Sequence, residues 1–196
     1  MRKAISEFYG VIRGFSIDNI INDDEAAYIK EWRESNYKYI KHKEIKNIIA
    51  VIDDILADDV ITLDEMMDLQ YAIQSYLDIV STSEITLATQ ILDGILKGII
   101  VDEEISESEC KNLRQWLYDH IYLSNHFPFD KTIALIDSAL EDNIITKEES
   151  AYITTVINDL LNPVEALKEQ VYSVDGKHVC LSGDFEYGKK SKVENI

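Results

Sequence analysis

Gly98-Ile99-Ile100-Val101-Asp102-Glu103-Glu104-Ile105-Ser106-Glu107-Ser108-Glu109 repeats the plan of Gly14-Phe15-Ser16-Ile17-Asp18-Asn19-Ile20-Ile21-Asn22-Asp23-Asp24-Glu25, 84 positions earlier. Glycine, aspartate, isoleucine and glutamate recur at one spacing, and Asn22 is replaced by Ser106, another side chain that caps helices. The register extends outward without a gap. Gly10 falls on Gly94, and Trp32 falls on Trp116, which together are the only tryptophans in the chain. His42 falls on His126, Ile52-Asp53 on Ile136-Asp137, Leu56 on Leu140, Ile61-Thr62 on Ile145-Thr146, Ile73 on Ile157 and Leu77 on Leu161. A single offset held through so many positions reads as an internal duplication.

A shorter echo lies inside each copy. The pattern Asp-x-x-Ile-(Asn/Ser/Thr)-x-x-Glu occurs at Asp18–Glu25, Asp58–Glu65, Asp102–Glu109 and Asp142–Glu149. Its second half is a capping box. The Asn, Ser or Thr accepts a bond from a first-turn amide, and the glutamate three residues on reaches back to the cap. Each motif therefore starts a helix, and apolar residues follow at spacings of three and four, as in Ile153, Val156, Ile157, Leu160 and Leu161. Apolar stripes such as Ile48-Ile49-Val51-Ile52-Ile55-Leu56 mark a further helix before the motif. The expected fold is all-α: two tandem four-helix lobes, 1–80 and 81–163, and then residues 164–196 as a linker helix and a short β-strand-containing tail. Leu161-Asn162-Pro163 closes the second lobe, because the residue before proline is driven out of the helical region.

Four of the seven glycines form the pairs Gly10/Gly14 and Gly94/Gly98, inside sequences that otherwise read as helix. Each costs about 1 kcal/mol against alanine in a helix. Close approach of a neighbouring helix backbone is the expected return.

Of 196 residues, 46% are hydrophobic, which suits a packed core, and the formal net charge is −18. From Val171 onward four lysines balance four acids, so the whole of that charge resides in residues 1–170. Such a field repels nucleic-acid phosphates and anionic membranes, and direct DNA binding by the helical part is not expected. Cys110 and Cys180 form no CxxC pair and no disulfide framework, and no apolar run reaches the roughly 18 residues of a membrane span. Without a signal-peptide core near Met1, the expected location is the cytoplasm.

The acidic loops invite a calcium reading, with Asp18, Asp58, Asp102 and Asp142 at the fifth position of an EF-hand-like loop and Glu25, Glu65, Glu109 and Glu149 at the twelfth. The first and third positions are Gly14 and Ser16, Asp54 and Leu56, Gly98 and Ile100, and Ser138 and Leu140, too few oxygens for a cation that takes six or more. The sixth position, ordinarily glycine, is Asn19, Asp59, Glu103 or Asn143. Capping and turn chemistry is the reading favoured for these eight residues, and no metal or other cofactor is assigned. The loops are nonetheless expected to pair, with Ile21 beside Ile61 and Ile105 beside Ile145. Trp32, Trp116 and Cys110 read as core residues, and His42 and His126 lack the neighbours of a zinc site. No nucleophile–base arrangement, phosphate loop or HExxH is present, so no enzyme is expected.

In the tail, Gly176-Lys177, Leu181-Ser182-Gly183, Phe185 and Val193-Glu194 resemble the opening of a BRCT domain, over about 20 residues. That resemblance implies a phosphate pocket begun by Ser182 and Gly183 and completed by a lysine on a later helix, and it implies a setting in DNA repair. Most of residues 5–162 resemble the TerB-type helical modules, whose Asp-Gly-x-Ile-x-x-x-Glu loops join helices, except that every loop here lacks the glycine. Three functions follow as expectations. The first is a non-enzymatic acidic module that binds a protein partner in nucleic-acid-processing or repair assemblies. The second is a phage-type acidic inhibitor or DNA mimic, and the third a degenerate EF-hand-like metal sensor. Carboxylates dispersed around an apolar groove would favour the first, and rows of carboxylates on one convex face the second.

Overall fold

A side chain that satisfies first-turn amides sets the start of a helix, and the capping boxes do so in this chain. The structure, a computed structural model, describes residues 1–15, 21–57, 60–79 and 83–163. The helices are α1 (Arg2–Phe15), α2 (Asp23–Asn36), α3 (Lys43–Ile55), α4 (Leu63–Ile79), α5 (Glu84–Ile99), α6 (Glu107–Asp119), α7 (Phe129–Ala139) and α8 (Lys147–Leu161). Short 3-10 turns, Tyr37–Tyr39 and Ile121–Leu123, follow α2 and α6. The described residues are all-helical, and none of their helices is long and apolar enough to cross a membrane. Residues after Pro163, with Ser182, Gly183 and the expected strand, lie outside the described residues, as do Asp18 and Asp58.

Element boundaries keep the spacing of the sequence motifs. The ends of α1 and α5, the starts of α2 and α6, the ends of α3 and α7 and the starts of α4 and α8 are each 84 positions apart. Two apolar clusters form, one from α1–α4 and one from α5–α8. Phe8, Ile12, Ile52, Leu69 and Ile73 are enclosed in the first, and their counterparts Leu92, Leu96, Ile136, Ile153 and Ile157 in the second. Each such side chain contributes about 1.5–3 kcal/mol by leaving water. Trp32 stacks on Phe8 with centroids 3.9 Å apart. Leu92 cannot play that part, and Trp116 stacks instead on His120, also at 3.9 Å. His120 and its counterpart Asn36 each approach the tryptophan carbonyl one turn back through a side-chain nitrogen, Asn36 Nδ2 at 2.9 Å and His120 Nδ1 at 2.8 Å.

Met1–Pro163 form one compact unit, and the two clusters meet across α1 and α5. These helices run in the same direction, with Gly10 against Gly94 and Gly14 against Gly98. The Gly94 backbone abuts the Glu7 carbonyl and the Gly10 backbone abuts that of Ile91, so a side chain on either glycine would overlap the opposite main chain. A residue in one helix meets its counterpart in the other. Lys97 reinforces the seam by pairing with Glu7 at 2.9 Å, and Asn22 Nδ2 donates to Asp102 Oδ2 at 3.2 Å. Burial and the nearby Glu7 push the Asp93 carboxyl above its usual range, with Lys97 and Lys3 pulling the other way.

Candidate functional site

The four loop motifs carry most of the residues to which the sequence draws attention. Asn22, Ser106 and Thr146 each accept from the amide of Glu25, Glu109 or Glu149, and that glutamate accepts the cap residue's own amide. Thr62 and Glu65 make the same exchange, with Thr62 N to Glu65 Oε2 at 2.8 Å. Hydrogen bonds from the Thr62 hydroxyl and amide hold the Glu65 carboxyl below the usual range. The Thr146 amide and hydroxyl do the same to Glu149. Asp102 accepts from the Glu104 amide at 3.2 Å and Asp142 from the Ile144 amide at 3.0 Å, each closing a local turn.

Glu103 and Asn143 adopt left-handed backbone, at φ 62° and 59°. Neither position is a glycine; asparagine enters this region readily, whereas glutamate does not.

In the α5–α8 half the loops lie side by side, since Asp102, Glu103, Ile105, Ile145 and Thr146 line one cleft. No β-bridge joins Ile105 to Ile145; the buried Ile105 amide donates instead to Ser150 Oγ at 2.7 Å. Met66 stands at the counterpart of Ser150, with Ile21 and Ile61 packed on the first core. Among the described residues, no group of three or more His, Cys, Asp or Glu side chains is placed to hold a metal ion. His42 caps α3 without a side-chain bond, and His126 Nδ1 lies 3.2 Å from the Ser124 carbonyl. Cys110 is buried in the second core, and burial raises its thiol to about 12, leaving no thiolate for chemistry at neutral pH.

Ion pairs add a feature that the sequence hides. Arg33 on α2 binds Asp53 on α3 at 2.8 Å, and Arg114 on α6 binds Asp137 on α7 at 2.7 Å. Asp53 and Asp137 are counterparts, whereas Arg114 sits one helical turn before the counterpart of Arg33. Each arginine also lies over the tyrosine four residues on, Tyr37 or Tyr118. The whole Arg–Tyr–Asp arrangement is preserved with two of its three members shifted by a turn.

Sequence reasoning also missed two grooves in corresponding places. One, of about 300 Å³, lies between α3 and α4 and is lined by Val51, Asp54, Ile55, Glu65, Asp68, Tyr71 and Ala72. The other, of about 520 Å³, lies between α7 and α8, where Leu135, Ser138, Ala139, Glu149, Tyr152 and Val156 take the places of six of those residues. Both have an apolar floor and an exposed tyrosine on the second helix, Tyr71 in one and Tyr152 in the other. A third cleft, of about 430 Å³, includes Arg13, Ile95, Trp116 and His120 in its lining. The Trp116 indole N–H is buried without a partner. The sequence signal for the α3–α4 groove was Met67 and Tyr71, apolar residues one turn apart on a face that the α4 core does not use.

No protein-family model, curated protein or solved structure matches this chain.

Proposed function

We propose that this chain is a non-enzymatic acidic module that binds a protein partner within assemblies that process or repair nucleic acid. The observation that carries the reading is the grouping of carboxylates Asp54, Glu65 and Asp68 around the apolar floor of the α3–α4 groove. Apolar floors bordered by charge are how protein surfaces bind and select other proteins. A DNA mimic has no use for such a floor. A metal sensor would need the loop glutamates, and these are committed to helix capping. The link to repair assemblies rests on the BRCT-like residues Gly176, Lys177, Ser182 and Gly183.

The experiment is affinity capture from the native host, with the intact chain and a version ending at Asn162 as baits. One protein retained by both baits, resistant to nuclease and released as salt is raised, is the expected result. Retention of nothing beyond an equally acidic control protein would overturn the proposal. Capture by the intact chain alone would move the activity to the tail and overturn the assignment to the acidic helices.

A further inference from the structure

We infer that the α3–α4 groove is a docking site for a basic amphipathic helix, an assignment that rests on the interaction-module reading and gives its partner a chemistry. Three observations converge on it. The first is shape: Val51, Ile55 and Ala72 floor a groove running between two helices, and among the described residues there is no sheet edge for an extended peptide to join. A groove between two helices is a setting in which an amphipathic helix lays down its apolar face.

The second is an apolar edge. Leu63, Met67 and Tyr71 follow one another at four-residue steps along α4 and are 41%, 59% and 76% exposed. Residues spaced in this way share one helix face, so they form a continuous stripe beside the groove. Methionine and tyrosine suit such a surface, since one adapts to its partner and the other offers a large rigid face.

The third is charge. The fifty residues between Lys46 and Lys97 contain ten carboxylates and no lysine, arginine or histidine, and they include all of α4 and most of α3. Arg33 reaches in to pair with Asp53. No ion pair among the described residues engages Asp54 or Asp68 at the groove rim. A helix with lysines or arginines beside its apolar stripe would meet unopposed carboxylates, whereas an acidic one would be repelled. The α7–α8 groove is a control supplied by the molecule. It has the same placement, but Ser138 and Tyr152 replace the two rim aspartates and Lys131 joins the lining.

The test is fluorescence-anisotropy titration of the full chain with three labelled synthetic peptides of about 18 residues, long enough for five helical turns. One is an amphipathic Leu/Lys helix, the second has its residues scrambled to abolish the apolar face, and the third carries glutamate for every lysine. The first should bind, with the other two at least tenfold weaker. Asp54→Lys with Asp68→Lys should weaken the first at least tenfold, and so should Met67→Ser with Tyr71→Ser, each variant keeping the native circular dichroism. Ser138→Lys, in the other groove, should leave affinity unchanged. Equal binding of the scrambled peptide, indifference to the Asp54/Asp68 substitutions, or an equal loss from Ser138→Lys would each overturn the assignment. If the chain still captures its cellular partner after the Asp54/Asp68 substitutions, the groove assignment falls and the module stands; if the unmodified chain captures none, the module itself falls.

Discussion

Replacing Gly94 by alanine adds one methyl group, and elsewhere in a helix this change would stabilise by about 1 kcal/mol. On α5 that methyl has nowhere to go. It would overlap the Glu7 carbonyl and lie 2.9 Å from Gly10 Cα, and these atoms are main chain that no rotamer change can move. To restore ordinary contact, α1 and α5 must part by about an ångström, at a cost of roughly 1–3 kcal/mol for overpacking plus dispersion lost along the seam. Set against the helix-propensity gain, the net destabilisation is about 2 kcal/mol, or about 4–8 °C in Tm for a chain of this size. The series of four alanines gives the argument its resolution. Gly10→Ala meets the Ile91 carbonyl in the same way as Gly94→Ala meets that of Glu7. The methyl at Gly98 would lie 2.7 Å from the Val11 carbonyl, and that at Gly14 would lie 3.1 Å from the Ile95 carbonyl. Urea denaturation should rank Gly94 and Gly10 as most damaged, Gly98 next and Gly14 near neutral. A Gly94→Ala chain as stable as the parent, or a Gly14→Ala chain less stable than it, would refute the close-packed seam.

Glu103→Gly should stabilise by about 1 kcal/mol in the same assay, since a left-handed residue with a Cβ bears 1–2 kcal/mol of strain, and Asn143→Gly should gain less; a loss at Glu103 would contradict this. Ser150→Ala should cost about 1–3 kcal/mol by orphaning the buried Ile105 amide, and a neutral result would mean that the amide finds another partner. The carboxyls of Glu65 and Glu149 sit below their ordinary value, so their contribution is complete above that value and disappears as pH falls through the folded one. The Glu65→Gln/Glu149→Gln double variant should therefore lose Tm less steeply than the parent between about pH 5 and pH 3, and parallel curves would count against the capping assignment.

The helix plan was legible because capping chemistry is local: Asn22, Thr62, Ser106 and Thr146 each precede the first residue of a helix. The glycines announced a close approach but not their partner, because a Gly-x-x-x-Gly ridge is complementary to any small-residue ridge. The Arg33–Asp53 and Arg114–Asp137 pairs were invisible to a search at one offset, since one arginine has moved by a turn. The turn at Glu103 was hidden for another reason: glutamate has no preference for left-handed backbone, and tertiary packing imposes it. The grooves were hidden among core residues, because Val51, Ile55 and Ala72 have the same helical spacing as the side chains beneath them.

An adhesive ridge that appears twice in one chain could link molecules end to end without limit, each half seeking the other half of a neighbour. Here the two ridges meet glycine against glycine, Gly10 on Gly94 and Gly14 on Gly98. Such self-matching contacts are closed under their own symmetry. Tethering makes the closure intramolecular and so independent of concentration. The contact between α1 and α5 thus turns the glycines of each ridge toward those of the other within one molecule.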